Sequence, residues 1–136
     1  MDLFDAICLT LWWTEGTKIR RNKRWNSFIY SIEITNTDPE IITTFLKYLR
    51  GKIGVQNERI KLQLQIHEGD NQEELEMFWE NITNIPRVQF NKTIIRPVGN
   101  KIGKSRGTCK IRIHDKRLFL KLTEQLDLLK RGLVHR

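Results

Sequence analysis

Cys8-Leu9-Thr10-Leu11-Trp12-Trp13-Thr14-Glu15-Gly16 is the stretch from which the rest of the chain becomes readable. From Leu3 to Trp13 apolar residues fill more than one face of a helix, a pattern that predicts burial on two sides. The run then ends in a carboxylate followed at once by glycine. Gly16 suits a helix stop, because glycine enters the left-handed C′ conformation without steric cost. Glu15 does not. The unsatisfied carbonyls at a helix C-terminus carry about half a negative charge, and an added anion there costs on the order of 0.3–1 kcal/mol. A carboxylate beside carbonyl oxygens is a ligand set for a hard divalent cation, so Glu15 and Gly16 mark a candidate metal site at the foot of this helix. The duller alternative is an ordinary solvated glutamate at a helix end.

Working outward, Lys18, Arg20, Arg21, Lys23 and Arg24 form a basic segment that turns near Asn26-Ser27. Phe28, Tyr30, Ile32 and Ile34 then alternate with Ser31, Glu33 and Thr35 at the period of a half-buried strand, predicting a β-hairpin with a basic edge. Asp38 as N-cap with Pro39 at N1, or Thr37 with Glu40 as a capping box, opens a second helix. Its apolar stripe is Ile41, Ile42, Phe45, Leu46 and Leu49, with Gly51 as its stop. A strand pair is expected from Ile53 to Ile66, where Leu62, Leu64 and Ile66 alternate with Lys61, Gln63 and Gln65. Asp70 with Glu73 predicts the start of a third helix burying Leu75, Phe78, Trp79 and Ile82 and ending before Pro86. A further hairpin is expected to join Phe90–Ile95 to Gly107–Ile113. A last helix runs from an Asp115 cap through Leu118, Phe119, Leu122, Leu126 and Leu129. The expected order is α-ββ-α-ββ-α plus an extra ββ-α, an α+β fold.

The 136 residues fit one domain with one core. Lys and Arg outnumber Asp and Glu by 24 to 16, a formal +8, which favours a polyanionic partner, nucleic acid ahead of a membrane surface. The first apolar run is too short for a signal peptide, with Asp2 and Asp5 where positive charge belongs. No stretch approaches the roughly 18 apolar residues of a membrane span. Cys8 and Cys109 form no Cys-x-x-Cys pair, so the chain reads as soluble, reduced and intracellular. Gly99 to Ser105 is one residue short of a P-loop and sits in an expected hairpin loop. His67, His114 and His135 lack zinc-ligand spacing. The six acids between Glu68 and Glu80 place the third helix away from any polyanion.

The element order and the opening nonapeptide resemble the LAGLIDADG family of homing endonucleases and their DNA-binding relatives. Cys8 to Gly16 lies over the family motif, with Glu15 and Gly16 on its final acid and glycine. Thr10 stands where the motif usually has glycine, and Trp13 where it often has a second acid. The resemblance covers about the first ninety residues and implies a LAGLIDADG-like αββαββα core (1–97) with an antiparallel DNA-binding saddle. Residues 98–136 are then a C-terminal ββα elaboration. It further implies that one motif copy pairs with a second in a homodimer, through Cys8, Leu9, Leu11 and Trp12. Two Glu15 carboxylates with nearby carbonyls would hold Mg²⁺ (or Mn²⁺) at the base of the paired helices. Asn36 matches a position that orients water, and Lys92 one that stabilises phosphate charge in the transition state.

On that resemblance the saddle sits in the major groove of double-stranded DNA, where exposed strand residues read bases. Lys18, Arg20, Ser31, Glu33, Lys61, Gln63 and Gln65 are the candidates. Arg21, Lys23, Arg24, Lys101, Lys104 and Arg106 are expected to hold phosphates. Two other activities fit the same residues: DNA binding without cleavage, and RNA binding that assists intron folding.

Overall fold

Side chains that bond to backbone two or three residues away set where the helices of this chain begin. The computed structural model describes residues 1–16, 20–22, 27–97 and 106–134, and of 20–22, 27–29 and 134 it gives the backbone course. Helix α1 (Leu3–Glu15) opens with a reciprocal capping box, Asp5 N donating to Asp2 Oδ1 at 2.8 Å and Asp2 N to Asp5 Oδ2 at 3.0 Å. Helix α2 (Pro39–Lys47) has the expected Asp38 cap, whose carboxylate accepts from Glu40 N at 2.9 Å, with Pro39 at N1. Helix α4 (Lys116–Val134) has the expected Asp115 cap, accepting from Leu118 N at 2.9 Å. Helix α3 (Gln72–Thr83) begins one residue later than expected: Asn71 caps it through Glu74 N. The Asp70 carboxylate instead accepts from His67 N and closes the turn before the helix.

A hairpin forms in the expected region, β1 (Arg20–Asn22) antiparallel to β2 (Ser27–Ile29), but the single strand expected from Phe28 to Thr35 breaks at Tyr30, and β3 (Ser31–Asn36) joins a different sheet. Other elements also depart from expectation. The second helix does not stop at Gly51; a π-helical turn carries it over Tyr48–Ile53 to Gly54. Gly54 takes φ +88° and its N–H donates to Leu49 O, which is the left-handed stop that glycine permits. Only the second half of the expected pair from Ile53 to Ile66 is a strand, β4 (Lys61–His67), preceded by a 3₁₀ turn over Asn57–Arg59.

The last expected hairpin does not form. Strands β5 (Ile94–Arg96) and β6 (Thr108–His114) are not neighbours. The sheet order is β3-β6-β4-β5, with β6 antiparallel to both β3 and β4 while β5 lies parallel along the outside of β4. A mixed four-stranded sheet and four helices thus make an α+β fold. Ile32, Ile34, Leu62, Leu64, Ile66, Cys109, Ile111 and Ile113 turn to one face of the sheet and join the apolar sides of α1–α4 in a single core. Strands β4 and β6 alternate cleanly between buried and accessible positions, so the other face is left for function. Among the described residues no helix is long and apolar enough to cross a membrane.

Candidate functional site

Strand register decides what that second face displays, since residues paired across neighbouring strands share a face. Glu33 lies opposite Arg112, which lies opposite Lys61; Thr35 opposite Lys110, which lies opposite Gln63; Thr108 opposite Gln65, which lies opposite Ile94; and His67 opposite Arg96. The face is polar and cationic, with Lys61, Arg96, Lys110 and Arg112 against the single carboxylate of Glu33 among the described strand residues. Lys61, Gln63 and Gln65 occupy it as expected. Lys110, Arg112 and Arg96 were missed, although Thr108, Lys110, Arg112 and His114 alternate with Cys109, Ile111 and Ile113. Acidic residues collect elsewhere: Glu73, Glu76 and Glu80 of α3 surround Arg87 at 2.9, 3.9 and 3.4 Å.

Two expected base readers are not available as drawn. Ser31 and Glu33 do share the outer face, but they are buried, at 2% and 1% exposure. Ser31 Oγ donates to Glu33 Oε1 at 3.0 Å and Arg112 Nε donates to the same oxygen at 2.6 Å. A carboxylate so far out of water needs a cation beside it, and Arg112 provides one. Gln63 is also partly committed, its Nε2 donating to Lys92 O at 2.8 Å.

The foot of α1 comes to the edge of the same sheet. Gly16 pairs with Ile34 in an isolated antiparallel bridge, next to Thr35 and Asn36 of β3. Glu15 is exposed there, with no ion pair among the described residues. Gly16 itself is extended, at φ −92° and ψ 167°, so the left-handed stop expected for it does not occur. Its glycine character answers a steric demand: a Cβ would run into Cδ1 and the carbonyl oxygen of Trp12. The last turn of α1 contains no basic residue, so within the helix the Glu15 carboxylate stands beside the final carbonyls without a compensating cation. These oxygen donors fit a hard divalent cation, but one chain brings a single carboxylate. Among the described residues no cluster of three or more His, Cys, Asp or Glu has metal-binding geometry.

The other catalytic candidates are placed differently. Asn36 sits at the end of β3 near this helix foot, but its Oδ1 accepts from Asp38 N at 2.8 Å and shapes the entry to α2. Lys92 is exposed and lies along β4, where Gln63 holds its carbonyl and Asn91 N donates to Leu62 O. Lys92 is on the side of β4 away from β6, so at about 4.8 Å per strand it is about 14 Å from β3. The lysine next to β3 is Lys110, opposite Thr35 on the adjacent strand.

The expected helix–helix contact through Cys8, Leu9 and Trp12 is corrected by burial. These residues are 0%, 1% and 6% exposed because they face the chain's own core, Trp12 meeting Phe119 edge-on at 5.5 Å. Leu11 is half-buried. Burial on two sides does not occur either: Leu3, Ile7, Thr10 and Thr14 form an exposed stripe along α1. Thr10 Oγ1 donates to Ala6 O at 2.7 Å and Thr14 Oγ1 to Thr10 O at 3.0 Å, so both hydroxyls are satisfied within the helix.

Of the expected phosphate contacts, Lys23, Arg24, Lys101 and Lys104 lie outside the described residues, as does the base-reading candidate Lys18. Arg20 and Arg21 lie in β1 as backbone positions. Arg106 is exposed, its guanidinium 4.3 Å from the Phe78 ring centroid, and its carbonyl accepts from Trp79 Nε1 at 2.8 Å. Comparison of the chain with protein-family models, with curated proteins and with solved structures finds no match.

Proposed function

We propose that the chain is a homodimeric, divalent-metal-dependent, site-specific double-stranded DNA endonuclease of the LAGLIDADG type. The observation that carries this reading is one juxtaposition: a cationic, polar sheet face with an exposed Glu15-Gly16 helix foot bridged to its edge strand. Element order supports it too. The order is not the expected one of a 1–97 core with a 98–136 elaboration, because β6 is a central strand and α4 joins the core. With residues 68–107 set aside as an insertion between β4 and β6, the remaining elements follow α-ββ-α-ββ-α, with β2 and β3 taken as one bent strand. The basic face takes the major groove, which is wide enough for a β-ribbon. Lys61, Gln65 and Lys110 face base edges.

Pairing uses the exposed stripe of α1, Leu3, Ile7, Thr10 and Thr14, in place of the residues first expected. A two-fold pair sets two Glu15 carboxylates and their neighbouring carbonyls close together, a donor set for Mg²⁺ or Mn²⁺. Bound there, the metal supplies an activated water and charge neutralisation at a phosphate. Of the chain's own cations, Lys110 is better placed than Lys92 to meet a phosphate beside Glu15.

One observation favours a second reading, a DNA-binding protein that does not cut. Glu15, Asn36 and Lys92 are not gathered into one cluster, and the Asn36 amide oxygen is taken by Asp38 N in the turn before α2. RNA binding on the same face is a third and weaker reading. The test is selection from a randomised duplex library in Ca²⁺, with recovered DNA then moved into Mg²⁺. A near-palindromic site cut in Mg²⁺, and left uncut by Glu15→Gln at similar affinity, is the expected result. Enrichment without cutting favours the binding protein, and tighter binding to folded RNA than to duplex favours the third.

A further inference from the structure

The Glu33–Arg112 pair lies near the middle of the outer face and does more than neutralise a buried acid. Arg112 is on β6, flanked by β3 and β4, so it faces the floor of whatever groove the sheet enters, not its phosphate rim. Glu33 Oε1 takes Arg112 Nε at 2.6 Å and is itself held by Ser31 Oγ at 3.0 Å. Glu33 is 1% exposed and the Arg112 side chain 23%. Only Nε is engaged: the two terminal amino groups of Arg112 make no hydrogen bond among the described residues. A guanidinium anchored through Nε keeps its Nη1/Nη2 fork for a planar acceptor pair, and the anchoring removes rotamer freedom that binding would otherwise have to freeze.

We propose that Arg112, aimed by Glu33, reads a guanine through its O6 and N7 in the major groove of duplex DNA. A fork of two donors matches that acceptor pair and no other base edge in the groove. The assignment rests on the reading that the outer face takes duplex DNA. Glu33 then acts as a positioning residue, Ser31 holds Glu33 in turn, and neither touches a base.

The experiment compares three full-length proteins in duplex selection with Ca²⁺: wild type, Arg112→Lys, and the double variant Glu33→Gln/Arg112→Gln. Arg112→Lys keeps the charge and the pairing with Glu33 but lacks the fork. The double variant replaces the ion pair by two neutral amides, so neither Glu33 nor Arg112 is left charged without the other. Wild type is expected to enrich guanine at one position per half-site. Arg112→Lys should lose about tenfold or more of that preference, and the double variant should shift it towards adenine, which glutamine matches. Sequencing reads these changes at one position, and a merely structural ion pair would not produce them. Unchanged guanine preference in both variants, with duplex still retained, overturns the inference while the DNA reading stands. A uniform loss of affinity across all sequences, with a salt slope lower by about one, also overturns it and makes Arg112 a phosphate contact. Failure of wild type to retain any duplex overturns both, and is distinguished because no sequence is enriched at all.

Discussion

Gly16 lies directly against Trp12: its N–H donates to the Trp12 carbonyl at 2.9 Å, and a Cβ on Gly16 would fall on the indole Cδ1 and that same carbonyl. The backbone at Gly16 is extended, so any residue could adopt it; only the missing side chain lets the chain leave α1 and bridge to Ile34. Gly16→Ala should therefore destabilise by overpacking, by about 1–3 kcal/mol. The checks are a lower thermal midpoint by circular dichroism and a change in tryptophan emission as Trp12 is displaced.

The exposed α1 stripe makes a separate prediction. Ile7 is 47% exposed, so Ile7→Glu should change the stability of the isolated chain by no more than about 0.5 kcal/mol. In a symmetric pair it sets two buried carboxylates against each other, and dimerisation should be lost. Sedimentation gives the answer: a variant that still dimerises like wild type means that α1 is not the pairing surface.

One contribution to stability in acid is local to the start of α1. The Lys52 ammonium, hydrogen-bonded to Asp2 at 2.8 Å, together with Asp5 N, holds the Asp2 carboxyl down at about 2 from its ordinary 3.8. A carboxylate lowered in the folded state contributes stability that is complete above the unfolded value and lost as pH falls through the folded one. Asp2→Asn should therefore flatten the fall of the thermal midpoint between about pH 4 and 2. An unchanged acid limb in the variant would remove Asp2 from the account.

Both thiols should be silent in the folded protein. Burial, with smaller contributions from Asp5 and Asp2, pushes Cys8 up to about 11, and burial alone pushes Cys109 up further. The thiolate is the reactive form. A disulfide reagent at neutral pH should label neither residue until denaturant is added, and rapid labelling of the native chain would contradict their burial.

Trp79 ties α3 to the start of β6, being fully buried with its Nε1 donating to Arg106 O at 2.8 Å. Trp79→Phe leaves that carbonyl unsatisfied and opens a cavity, and should cost about 2–4 kcal/mol. Urea unfolding would register this as a lower midpoint with an unchanged slope.

Legibility followed the range of each interaction. Asp38 and Asp115 were readable as caps because each bonds to backbone two or three residues away, and local chemistry of that kind depends on little else. The amphipathic stripes of α2 and α4 and the alternation of β4 were readable for the same reason, whereas β3, expected to be half-buried, is buried on both faces from Ser31 to Ile34. So was the anionic foot at Glu15, since a carboxylate before a helix-ending glycine is visible in one dimension.

Only tertiary structure decided which apolar side of α1 is core. Its apolar residues run nearly all round, and packing against α2 and α4 buries Cys8, Leu9 and Trp12 while leaving Leu3 and Ile7 outside. Strand order was likewise beyond local reading: β6 pairs with β3 across more than seventy residues, in preference to the nearer β5. Such pairings are chosen by the fit of whole faces, not by neighbouring residues. That choice brought Arg112 to Glu33 and Lys110 to Thr35, and turned a list of basic residues into a surface. Helix starts and amphipathic patterns belonged to the sequence by itself, because their bonds close within a turn; the composition of the functional face belonged to the fold, because register is a property of strands brought together.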